Sequence, residues 1–141
     1  MSSREEQAFR ENPSVLAFLG DAVYEVYIRR LVYERGILSP DRMNAETVKY
    51  VRAEAQAAAC DVLFPELTER EQSVTRRARN HKITSMPGNV DYMIYKKATA
   101  FEALIGYLNL SGSEERVGQL MEAAVKIIDK SQIKTDRRIG S

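Results

Sequence analysis

Two carboxylates stand alone in otherwise apolar, helix-like stretches of the chain. In FLGDAVYEVYI, residues 18–28, Asp21 directly follows Gly20, and Glu25 lies four residues on. In ATAFEALIGYLNL, residues 98–110, Glu102 is the only charged side chain, and Gly106 follows one turn later. Aspartate is a poor mid-helix residue, and glycine there costs about 1 kcal/mol relative to alanine. Two locally unfavourable choices side by side point to a site rather than a scaffold. A buried, unpaired carboxylate is costly, and a basic partner, a shared proton or a cation relieves it. Two acids brought together from different helices make an oxygen-rich site suited to hydrated Mg²⁺. Each acid also has a structural reading, as the partner of a buried arginine or as a helix cap, and residue types alone leave both readings open. Glu25 reads differently: Arg29 is placed for an i,i+4 surface pair, and a role as an extra ligand is the weaker alternative.

A second feature is cationic. Arg76, Arg77, Arg79 and Lys82 fall within seven residues that contain no acid, with Asn80 among them. Cations near a helix C-terminus are favourable in their own right, so a solvated helix end is the plain alternative. Coupled to an acidic site, the group becomes a grip for phosphates, with Asn80 able to bond a hydroxyl or a base edge. Lys96 and Lys97, one to two turns before Glu102, are further candidates for contact with a phosphate strand.

The elements that must position these residues are helices. Asn12-Pro13 is a cap followed by proline at the first helical position. It predicts a helix to about Arg35, stopped by Gly36. Ser39-Pro40 repeats the signal for a helix to about Val51, and the alanine-rich run RAEAQAAACDVLF continues as helix, after a bend, until Pro65. Thr68 with Glu71 forms a capping box opening a helix through about Asn80. HKITSMPGN, residues 81–89, reads as a loop with its turn at Pro87-Gly88-Asn89. A long helix is expected over 90–110, a break at SGSE, and then a helix with Val117, Leu120, Met121, Ala124, Val125 and Ile128 on one face. No strand alternation is convincing, so the fold class is all-α. A single domain over residues 13–129 is expected, between an N-terminal arm at 1–12 and a frayed tail at 130–141.

The whole composition agrees with a globular chain. It has 141 residues, 44% apolar and 29% charged, with a net charge of +1. That charge advertises no global affinity for nucleic acid, so any such surface must be local. Cys60 is the only cysteine and His81 the only histidine, which removes intrachain disulfides, histidine-rich metal sites and most serine–histidine triads. The polar first residues do not read as a signal peptide, no apolar run is long enough for a membrane span, and a cytoplasmic location is expected. The first long helix is apolar around most of its circumference. One small domain does not easily cover such a surface, and a two-fold interface would. Tyr24, Tyr27, Tyr33, Tyr95 and Tyr107 are expected in core or interface rather than as base-stacking platforms.

LGDAVYE resembles the signature helix of ribonuclease III enzymes, and FEALIGYL resembles their second acidic helix. The likeness to Mini-ribonuclease III, the short form without a double-stranded-RNA-binding domain, is closer. LAFLGDAVYEVYIRR, RARNHK, KKATAFEALIGYL and SEERVGQLMEAA resemble that family's blocks in order, over roughly residues 13–129. The resemblance implies a homodimeric helical bundle that cuts double-stranded RNA, with Mg²⁺ held by Asp21 and Glu102. It also implies a ribosomal (23S) RNA precursor as substrate and allows a ribosomal protein or particle as partner. Arg76, Arg77, Arg79, Asn80 and Lys82 would bind the RNA. Two acids of full-length ribonuclease III enzymes are missing, their positions being Ala17 and Thr99 here. A non-catalytic helical dimer that binds structured RNA or ribosomal components is therefore the alternative, and a purely structural helical domain is a third reading.

Overall fold

Asn12 opens the first long helix as its residue type predicts, its side-chain oxygen accepting from the Ser14 N–H at 2.8 Å with Pro13 in the first turn. The computed structural model describes residues 2–82, 86–89 and 91–140, with side chains described through Lys134. Among them are seven α-helices: α1 Ser3–Arg10, α2 Pro13–Glu34, α3 Pro40–Val51, α4 Ala53–Leu63, α5 Glu69–Arg79, α6 Tyr92–Leu110 and α7 Glu114–Gly140. A short 3-10 turn, Phe64–Glu66, links α4 to α5, and no described residue is in a strand. The chain is all-α, as its periodicity predicts.

Local chemistry explains most boundaries. Gly36, at φ +83°, takes the left-handed conformation that ends α2. The bend expected in the alanine-rich region falls at Arg52, which is extended (ψ 153°) between α3 and α4. The capping box at Thr68 is present, Glu71 and Thr68 each satisfying the other's backbone N–H. The helix expected from residue 90 begins at Tyr92, because the Asp91 carboxylate accepts from both the Met93 and Ile94 N–H groups and caps it there. The loop expected at 81–89 lies partly outside the described residues.

Helix α6 is the axis of the bundle. Ala98, Ala100, Phe101, Ala103, Leu104, Ile105, Tyr107 and Leu108 are all buried, on every side of it, as an all-round apolar helix requires. Helices α2, α4 and α5 make its main contacts. Helix α2 is also apolar around most of its surface but is buried on one face only, through Leu16, Tyr24, Ile28 and Val32. Its other face leaves Val15, Phe18 and Val26 open, Phe18 at 78% exposure. Tyr24 packs edge-on against Phe101, with ring centroids 4.9 Å apart.

Both ends of the chain are helical. Within residues 1–12, expected as an arm, α1 is tied to the bundle: Arg4 donates to the Leu110 carbonyl at 2.9 Å, Ala8 is buried, and Phe9 meets Tyr107 edge-on. The tail expected to fray from residue 130 continues α7 to Gly140. Residues 130–139 contain no proline or glycine to stop a helix.

Candidate active site

The site begins with two glycines. At the α2–α6 crossing a Cβ on Gly20 would lie 1.7 Å from the Glu102 carbonyl oxygen, and a Cβ on Gly106 would lie 1.9 Å from the Leu16 carbonyl oxygen. The two backbones therefore touch directly. That contact brings the residue after Gly20 beside Glu102, so Asp21 and Glu102 share one place although they lie on different helices. Asp21 is open to solvent, while Glu102 is mostly sunk into the bundle.

Burial pushes the Glu102 carboxyl up to about 8. The neighbouring Asp21 carboxylate pushes in the same direction, both by its charge and by hydrogen bonding. A hydrogen bond from the Gln56 amide opposes the shift. No basic side chain is among the groups acting on Glu102. Among the described residues, then, no arginine partner that would make Glu102 structural is found. Glu25, by contrast, pairs with Arg29 at 3.0 Å, as its spacing predicts.

An all-oxygen pair of acids, one of them held toward its neutral form by burial and by the other's charge, fits a hard divalent cation, which would offset both costs. Asp21 and Glu102 are the residues that could hold it. The positions of the missing acids add nothing charged: Ala17 is buried, and the Thr99 hydroxyl donates to the Tyr95 carbonyl at 2.9 Å. Among the described residues, no three acid, histidine or cysteine side chains gather as a metal-binding group.

Gln56 is the member of this site that sequence reasoning missed. It is 2% exposed, and its Nε2 donates to the Val51 carbonyl at 2.9 Å. Its signal was visible as the one uncharged polar residue in AEAQAAAC, but the alanine-rich context reads as ordinary helix.

The cationic segment divides. Arg77 turns inward, donating to the Phe9 carbonyl and lying 5.1 Å from the centre of the Phe9 ring, so it holds α1 against α5. Arg76, Asn80 and Lys82 are exposed, Arg76 stacking over Phe64 at 5.6 Å, and Arg79 is half-buried near Cys60. Lys97 pairs with Asp61 at 3.0 Å, and Lys96 lies 4.8 Å from the Tyr92 ring centre.

This sequence and fold have known counterparts. Residues 14–113 match the Ribonuclease III domain family. The chain is 43% identical to Mini-ribonuclease 3 of Symbiobacterium thermophilum over 120 residues, 85% of this chain and 92% of that protein. It is 45% identical to Mini-ribonuclease 3 of Brevibacillus brevis over 118 residues, 84% of this chain and 88% of that one. A crystal structure of a Fusobacterium nucleatum protein superimposes with a TM-score of 0.76 at 31% identity, covering 83% of this chain and 93% of the other.

Proposed function

Because this chain belongs to the Mini-ribonuclease III branch of the ribonuclease III family, we propose that it cuts double-stranded RNA as a Mg²⁺-dependent homodimer in the maturation of a 23S ribosomal RNA precursor. Its class, an endoribonuclease acting on RNA, follows from the family. The duplex substrate, the ion, the two-fold assembly and the ribosomal precursor are the further reading.

One observation carries this proposal: the pairing of Asp21 with Glu102 at the α2–α6 crossing, with no basic group acting on Glu102. When bound there, Mg²⁺ would supply an acidified water and relief of charge on the phosphate. The protein's own contribution is rigidity. Both acids stand on helices whose backbones are in contact, so neither can drift without breaking the bundle. Glu102 is mostly buried, which limits its motion, and the open side of Asp21 leaves an approach for a phosphate strand. No side chain is needed as nucleophile.

Arg76, Arg79, Asn80 and Lys82 are the candidates for gripping the duplex; Arg77 is engaged elsewhere. A-form RNA presents phosphates and 2′-hydroxyls across its wide minor groove, so such residues would read shape more than sequence. The homodimer is supported by the open apolar face of α2, where Val15, Phe18 and Val26 are exposed at helical spacing. A two-fold pair would also set two acid sites against two strands.

The test is a perfect RNA duplex incubated with wild type and with Asp21→Asn, in Mg²⁺ and then in EDTA. Cuts that need both the metal and Asp21, with RNA binding retained in the variant, are expected. Binding without cutting in every condition would leave the non-catalytic RNA-binding alternative in its place.

A further inference from the structure

The Gln56 amide sits where three parts of the molecule meet. It rises from α4, its Nε2 bonds the Val51 carbonyl at 2.9 Å, and it reaches the Glu102 carboxylate on α6. The first bond has a clear origin. The extended residue Arg52 breaks the α3–α4 ladder, so Ala55 and Gln56 donate their backbone N–H groups to the Arg52 carbonyl. The Val51 carbonyl is thereby left to find its donor in a side chain. Gln56 supplies one, which leaves its amide a second N–H.

The other end of the amide is unsatisfied: Oε1 is buried and has no hydrogen-bond partner. A buried acceptor without a donor destabilises a fold, and an apolar side chain of similar volume would avoid that cost. With that oxygen idle, the hydrogen bonding of the amide lies on its N–H side. That side faces one carbonyl and one candidate ligand.

We propose that Gln56 is a positioning residue of the acid site: its amide, anchored on the Val51 carbonyl at the α3–α4 bend, donates to the Glu102 carboxylate and fixes it beside Asp21. This rests on the reading of Asp21 and Glu102 as cation ligands. It gives the site a third, uncharged member from a third helix. It also links the bend at Arg52 to the orientation of Glu102, so the α3–α4 junction becomes part of the active site's support. Partners of this kind that orient a ligand typically change metal affinity or activity 10- to 100-fold when removed.

The test uses the full chain. Mn²⁺ binding to the RNA-free protein is followed by electron paramagnetic resonance, and duplex RNA cleavage is followed across a Mg²⁺ series. Gln56→Met keeps the length of the side chain and removes its N–H groups. It should weaken Mn²⁺ binding by about tenfold or more and move the Mg²⁺ needed for half-maximal cleavage upward by a similar factor, with the KM for RNA unchanged. Wild-type Mn²⁺ affinity in a folded Gln56→Met protein would overturn the proposal. A second variant, Gln56→Glu, keeps the volume and adds an acid but has no N–H to give. Its cleavage rate at saturating Mg²⁺ should fall about tenfold or more, and a wild-type rate would also overturn the proposal. Failure of wild type itself to bind Mn²⁺ would instead strike the ligand reading of Asp21 and Glu102, so the two ideas fail separately.

Discussion

Gly20 and Gly106 face each other across the α2–α6 crossing so closely that neither could carry a methyl group: the carbonyl oxygens of Glu102 and Leu16 stand within 2 Å of the two Cβ positions. Both obstacles are backbone atoms of core helices, which cannot swing aside as a flexible side chain can. The distance between Asp21 and Glu102 is set by this contact. A change there should act on stability and on chemistry together.

Alanine at either glycine therefore forces the helices apart. Gly20→Ala and Gly106→Ala should each lose roughly 3 kcal/mol or more of stability in denaturant titrations, at the upper end of overpacking effects. Any folded fraction should cut RNA poorly because the acid pair is spread. A fully active, equally stable Gly20→Ala protein would show that the helices do not depend on this contact.

The raised Glu102 carboxyl has a pH consequence in the metal-free protein. Its folded value, about 8, exceeds its unfolded value of 4.5, so the folded state binds the proton more tightly. The associated stability is complete below about pH 4.5 and is lost as pH rises through about 8. Glu102→Gln should flatten this decline in melts recorded with EDTA between pH 5 and 8. The variant should be the more stable protein at the alkaline end, by up to a few kcal/mol. An unchanged slope would mean that Glu102 is not the group responsible.

The open face of α2 predicts an assembly. A glutamate in place of Phe18 puts a charge into the middle of the exposed Val15–Phe18–Val26 stripe. Phe18→Glu should sediment as a monomer where wild type sediments as a dimer, with the melting temperature of the isolated chain little affected because Phe18 contributes no core packing. A wild-type protein that is monomeric at micromolar concentration would remove the homodimer.

Arg77 and Arg79, two residues apart, should separate into structure and function. Arg77→Ala loses the bond to the Phe9 carbonyl and the stacking over its ring. It should cost about 1–2 kcal/mol of stability while the salt dependence of RNA binding stays the same. Arg79→Ala should do the reverse, weakening binding and lowering the salt slope by about one unit. Equal slopes for wild type and Arg79→Ala would remove Arg79 from the RNA grip.

Much of the fold could be read along the chain because its punctuation is local. Asn12-Pro13, Gly36, the Thr68–Glu71 box and the Ser111–Ser113 break act within a few residues of themselves, through caps and backbone conformations that need no distant partner. The helix expected from about residue 90 starts at Tyr92, because an aspartate can serve either as a cap or as a first-turn residue and Asp91 is the cap. Helix α1 was less legible. Its hold on the bundle depends on Arg4, Phe9, Arg70 and Arg77 meeting across residues far apart in sequence, and no short pattern announces that.

For the site, isolation was the readable property. Asp21 and Glu102 stand out as single acids in apolar helices, and the glycines near them mark a close approach; these are features of composition and spacing, available without a fold. That the two acids meet, that Arg77 is occupied by Phe9, and that Gln56 acts on Glu102 were decided by packing, whereas the Glu25–Arg29 pair was legible in its spacing. A hydrogen bond or a charge interaction falls off over a few ångströms, so its partners are chosen by which helix surfaces touch. Those surfaces are brought together by burial of apolar area, a force without direction along the chain. Residue order can therefore mark which side chains are unusual, while the folded bundle alone settles which of them become neighbours.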